Sequence, residues 1–207
     1  MLGWLALEAL DLQPRNKSVD RTLGQQLAEL HSRRRQRFGW RRNNFLGKTP
    51  QSNHSHEGWV EFFAMQRLRP QIDQLLASTT QPQLEALLTE LIPLWQKLAT
   101  GYTPVPALLH GDLWAGNAAA QADGSPVIFD PAVHVGDREC DLAMADLFGD
   151  YHSEFFRAYE ATWPLDEGWR ERREFYQLYH LLNHANLFGG GYVDTVKRRL
   201  QRLRSCC

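Results

Sequence analysis

The sequence predicts a mainly α-helical domain with a small β-hairpin insert. Three observations lead to that class. Apolar residues recur at helical spacing over 57–77 and again over 82–99. Between 107 and 131 the texture changes to short apolar runs separated by turn residues. From Cys140 onward the helical period returns. A chain of 207 residues, 43% of them apolar, has enough material for a buried core. Its net charge of −1 provides no general attraction to nucleic acid or an anionic membrane. No uninterrupted apolar run reaches the roughly 18 residues of a membrane span, and MLGWLALEAL lacks the basic start of a signal peptide. Three cysteines, Cys140, Cys206 and Cys207, show no pairing pattern, which suggests reduced thiols and a cytoplasmic setting.

In chain order, 2–10 (LGWLALEAL) reads as a buried strand or the end of one, closed by a turn at 13–16. Leu23, Leu27 and Leu30 then mark a helix with Asp20 as its N-cap, stopping near His31. Six arginines between 33 and 42 read as a solvated helix end rather than a nucleic-acid patch, since the rest of the chain is not basic. They open a loop of about 20 residues through FGWRRNNFLGKTPQSNHSH, a length more often functional than decorative. The helix over 57–77 should kink at Pro70. The next, over 82–99, has Thr80 as a cap and Pro82 in its first turn. Short strands are expected at 107–109, 118–121 and 127–129, the last two joined through Asp123-Gly124, followed by a loop to Asp137. Helices fill the remainder.

The polar residues of that insert carry the chemistry. LLHGDLWAGN places His110 and Asp112 at a strand exit and Asn117 at the entry to the next strand. Asp130 follows the third strand, and because a hairpin returns on itself, Asn117 and Asp130 should share one end of the ribbon. Two carboxylates and an amide oxygen suit a hard cation such as Mg²⁺, which completes its shell with water and phosphate. The order His-x-Asp, Asn five residues on, then a further Asp is also that of phosphotransfer enzymes. There the first Asp accepts a proton from the attacking hydroxyl, while the Asn and second Asp hold metal on the triphosphate. Asp137 and Asp141 lie four apart before an apolar helical run. They suit either a helix N-terminus or a brace for the loop backbone, and the brace is favoured.

LLHGDLWAGN, IFDPAVHVGDRECDLAM and YQLYHLLNHANLFGG resemble the fructosamine kinase (ketosamine-3-kinase) family, relatives of the aminoglycoside phosphotransferases. FGWRRNNFLGKTPQSN and WVEFFAMQRLRPQ extend the resemblance over nearly the whole chain. The resemblance implies a protein-kinase-like fold and ATP-dependent phosphorylation of the O3 hydroxyl of a ketoamine. It makes Asp112 the base, Asn117 and Asp130 the Mg²⁺ ligands, and Trp114 and His110 substrate-binding residues. The partner it implies is a small-molecule or protein-bound ketoamine, with neither nucleic acid nor membrane. Residues 1–12 resemble the strand joining two kinase lobes, with Glu8 and Leu10 where backbone would meet adenine. Residues 13–207 resemble the C-terminal lobe, with its catalytic hairpin at 107–131. The glycine-rich phosphate loop and strand lysine of such kinases have no counterpart in the sequence, so the N-terminal β lobe is expected to be absent. Loss of those groups would cost about 4 kcal/mol or more of transition-state stabilisation, and Leu2, Trp4, Leu5 and Leu7 should be exposed.

Other classes compete. A metallophosphoesterase needs an Asp-x-His upstream of Gly111, and the sequence has none. His180 and His184, at i and i+4, suggest a zinc site but have no third ligand in view. A non-catalytic remnant that binds substrate or a partner is the reading from outside enzymology.

Overall fold

The computed structural model describes residues 7–206. Helix α1 (Lys17–Ser32) starts at Asn16, whose Oδ1 accepts the Ser18 and Val19 amides. Asp20, expected as the cap, lies inside the first turn. There its buried carboxylate accepts both the amide and Nδ1–H of His152. Asn16 takes the cap because its extended backbone aims its side chain at the open amides.

The arginine-rich stretch is exposed, and Arg37 pairs with Glu57 at 2.8 Å. The long loop is not structureless. β1 (Asn44–Leu46) and β2 (Thr49–Gln51) form a tight antiparallel hairpin within it. Three-residue strands holding Asn and Pro carry no alternation a sequence could reveal.

The expected 57–77 helix is three joined pieces: α2 (Trp59–Phe62), a π turn (Phe63–Leu68) and α3 (Arg69–Ser78). The Arg69 amide reaches five residues back to the Ala64 carbonyl. The widened turn precedes Pro70, which lacks an amide and would crowd the carbonyl four residues earlier. In helix α4 (Pro82–Leu98) Gln81, not Thr80, occupies the N-cap position, without a side-chain capping bond, and Pro82 supplies a first-turn φ.

β3 (Pro106–Leu109) pairs antiparallel with β6 (His134–Asp137), Leu109 opposite His134. β6 replaces the expected loop, and its Gly136 and Asp137 hide it from β propensity. β4 (Ala118–Ala120) and β5 (Pro126–Ile128) form the second hairpin, Ala118 opposite Ile128. Helices α5 (Glu139–Leu147), α6 (Ser153–Thr162), α7 (Trp169–Phe188) and α8 (Gly191–Cys206) complete the chain.

Residues 7–12 are not a buried strand. They are irregular and exposed, and only Gln13 pairs, exchanging backbone hydrogen bonds with Ala120. Residues 2–6, with Leu2, Trp4 and Leu5, lie outside the described residues.

The main core is aromatic. Phe63 sits 4.9 Å from Trp95 and 5.0 Å, edge to face, from Tyr176. Burying each such ring contributes about 2–3 kcal/mol. A second cluster joins Leu23 and Leu27 of α1 to Phe155 and Tyr159 of α6 and to Leu113. The 110–117 loop therefore lies between two packed bodies.

Candidate active site

The loop after β3 is fixed from below. Asp141, fully buried in the first turn of α5, accepts the His110 amide at 2.7 Å and the Gly111 amide at 2.8 Å. His31 approaches the same carboxylate at 3.2 Å, and its other ring nitrogen meets the Tyr159 hydroxyl. Burial alone would raise the Asp141 pKa, but His31, His110 and the Gly111 amide together hold it below the usual carboxylate range. Asp137 does not reach this loop. It accepts hydrogen bonds from the Tyr102 and Tyr176 hydroxyls at the opposite end of β6.

Gly111 has φ +82, and a Cβ there would collide with the Ala132 carbonyl. His110 turns inward. Its Nε2–H donates to the Phe129 carbonyl at 2.8 Å and its Nδ1 accepts the Asp112 amide at 3.3 Å. With both ring nitrogens engaged and the side chain buried, His110 has no group left for a substrate, contrary to the expectation from sequence. It ties the loop to the end of β5.

Asp112 is half-buried at the loop's tip. Burial pushes its pKa up to about 6; Asp141 and Asp130 add to the rise, while His110 and Asn117 oppose it. Asn117 donates from Nδ2 to the Asp112 carbonyl at 2.9 Å, and at longer range to the Asp112 carboxylate and the Asp130 carbonyl. Asp130 is exposed and left-handed, φ +53, a conformation that costs a non-glycine residue about 1 kcal/mol or more. Asp112, Asn117 and Asp130 thus meet at one end of the β4–β5 hairpin. Glu8 and Leu10 lie on the exposed stretch before Gln13, which meets the other end of β4.

The stretch after Asp130 is gripped by residues that sequence reasoning missed. Gln51 donates to the Ala132 carbonyl at 3.1 Å and Asn44 to the Val133 carbonyl at 2.8 Å. Tyr179 orients Gln51 by donating to its Oε1. His134, driven by burial down to about 3, is neutral and donates from Nδ1 to Ala132. The one sequence signal was the unusual length and amide content of the 38–56 loop.

Beside Asp112 opens a cleft of about 400 Å³, walled by Trp114, Phe148, His180, Asn183 and His184. Trp114 is 42% exposed, and its ring lies over Gly116, where a Cβ would strike it. Thr49 donates to Asn183, seating the β1–β2 turn at the cleft's edge. His184 donates from Nδ1 to the His180 carbonyl, so the two rings do not chelate together through those nitrogens.

Asp112, Asn117 and Asp130 offer an all-oxygen donor set, which fits Mg²⁺. Among the described residues no group of three or more His, Cys, Asp or Glu could hold a metal ion. A cation here would draw much of its coordination from water and phosphate. No helix of the described residues is long and apolar enough to cross a membrane.

A family model described as fructosamine kinase matches residues 2–205. A protein of Vibrio parahaemolyticus named a probable ketoamine kinase is 43% identical over 206 residues, spanning 99% of this chain and 69% of the relative. A probable ketoamine kinase of Synechocystis is 40% identical over 97% of this chain and 67% of its own length. A crystal structure from Thermobifida fusca, provisionally described as a fructosamine-3-kinase, superposes with a TM-score of 0.87 at 35% identity. It covers 96% of this chain and 69% of that one. The choline kinase LicA of Streptococcus pneumoniae, 14% identical, shares the fold alone, with a TM-score of 0.62 over 97% of this chain and 69% of its own.

Proposed function

The chain belongs to the fructosamine kinase family, and on that premise we propose that it transfers the γ-phosphoryl group of ATP to the O3 hydroxyl of a ketoamine. The observation that carries this reading is the meeting of Asp112, Asn117 and Asp130 at one end of the β4–β5 hairpin, with Asp112 lining a cleft of about 400 Å³. In this reading O3 attacks the γ-phosphorus as its proton passes to Asp112. The new O–P bond forms as the bond to the β,γ-bridging oxygen breaks, and ADP leaves. A base with pKa of about 6 is ionised at neutral pH yet more basic than an ordinary aspartate, which favours this role. Mg²⁺, held by Asn117 and Asp130, would neutralise charge on the triphosphate. Asp141 and His110 hold Asp112 in place, and Trp114 gives the sugar a flat apolar face. The described helices and hairpins correspond, in this reading, to the C-terminal lobe of a kinase-like fold, acting in the cytoplasm.

The test incubates the chain, and any longer natural form containing it, with ATP, Mg²⁺ and a synthetic fructosamine, followed by ³¹P NMR. A phosphomonoester at O3 with matching ADP is expected. Inorganic phosphate alone, or no turnover by either form, would contradict the reading.

A further inference from the structure

Arg67 stands in the π turn of the core, 1% exposed, and no carboxylate pairs with it among the described residues. Arg172, also buried, shows the ordinary solution: it pairs with Glu139 at 2.6 Å. An isolated buried charge is costly, and a guanidinium cannot shed its proton to escape the cost. The charge of Arg67 meets backbone and one amide instead. Nη1 donates to the Ser52 carbonyl at 2.5 Å, and Nη2 donates to Asn53 Oδ1 at 2.7 Å. π turns recur at functional positions, so the use made of this contact was followed outward.

A guanidinium has donors only. It therefore fixes which way the buried Asn53 amide points, Oδ1 toward Arg67 and Nδ2 away. That Nδ2 donates to Asn44 Oδ1 at 2.7 Å. Asn44 Oδ1 also accepts Gln51 Nε2 at 2.9 Å, which turns Asn44 Nδ2 to the Val133 carbonyl at 2.8 Å. Each link has one allowed direction, with a donor-only cation at one end and a carbonyl at the other. Among the described residues Pro131, Ala132 and Val133 make no backbone–backbone hydrogen bond, so side chains hold this segment. Asp130, at positive φ, opens it. We propose that Arg67 is a positioning residue for Asp130: its guanidinium sets the direction of the Asn53–Asn44 amide relay, which holds the Val133 carbonyl and with it the segment that presents Asp130. This rests on the kinase reading for what Asp130 does.

Hydrogen exchange read by mass spectrometry tests the relay without turnover. Asn53→Asp removes the donor to Asn44 yet leaves Arg67 a partner, now an ion pair. Asn44→Ala, at a half-exposed position, cuts the far end. Arg67→Gln puts an amide that can face either way at the head. Each should make the 130–134 peptide exchange about tenfold faster while α4 keeps its protection. Links in series do not add, so Asn53→Asp with Asn44→Ala should exchange no faster than the quicker single variant. In turnover, half-maximal Mg²⁺ should rise several-fold at constant ketoamine KM. Unchanged exchange at 130–134 in Asn53→Asp, or effects that simply add in the double variant, would overturn the proposal. So would faster exchange spread evenly over 130–134 and α4, the mark of a merely structural role. If exchange behaves as expected while no form of the chain phosphorylates a ketoamine, the relay stands and the kinase reading falls.

Discussion

Asp112 owes its position to two kinds of contact, one readable in sequence and one not. The five-residue spacing to Asn117 is covalent, and so is the hairpin that returns Asp130 to Asn117. Those three residues could be singled out from LLHGDLWAGN and IFDPA alone. Residue identity does not tell whether a histidine ring is already satisfied, and His110 was misread for that reason: the Phe129 carbonyl, nineteen positions on, fills it. The raised pKa of Asp112 gives a pH prediction. An acid whose folded pKa is about 6 becomes a competent base only as pH rises through that value. With the Asp141 and Asp130 carboxylates as its charged neighbours, kcat should climb between pH 5 and 7 and then level. A profile already flat from pH 5 upward would place the base elsewhere. Gly111→Ala meets both a positive φ and the Ala132 carbonyl. It should lower stability by about 2 kcal/mol or more, read as a fall in Tm.

Elements were legible in proportion to their length. The long helices announced themselves by period. β1, β2 and β6 did not, because three or four residues containing Pro, Gly or Asp carry too little pattern. The π turn before Pro70 was foreseen as a kink but not as a widened turn. The missed β1–β2 hairpin matters most, since Asn44 and Gln51 clamp the two carbonyls that follow Pro131. Asn44→Ala together with Gln51→Ala should free the Asp130 segment. The expected outcome is a several-fold higher Mg²⁺ concentration for half-maximal rate with the ketoamine KM unchanged; equal shifts in both would mean a general loss of folding. Packing of α1 on α6 sets up a contest of effects. Gly24→Ala gains about 1 kcal/mol of helix propensity. Its Cβ, however, would run into the Phe155 backbone carbonyl, which cannot move aside cheaply. The collision should win, lowering Tm by about 3 °C or more.

At the scale of the molecule, two apolar clusters flank one polar seam. Asp141 stands in that seam, joining His31 of α1 and the 110–111 backbone to α5, while Tyr159 of α6 completes the chain of contacts. The brace from Asp141 to 110–111 was expected from sequence, but the His31 end of the network was not visible there, because His31 lies more than a hundred positions from both Asp141 and Tyr159. What the sequence did reveal was the mainly helical class with a β insert and the family, and the family match spans residues 2–205. The role proposed for Asp112 is to take the proton in a phosphoryl transfer to a ketoamine. Steady-state kinetics of Asp112→Asn, with ketoamine binding measured in parallel, test it most directly. A fall in kcat of about 10²–10⁴ with Kd within threefold of the parent is the predicted result. A variant that keeps its kcat, in an enzyme that phosphorylates the ketoamine, would contradict it.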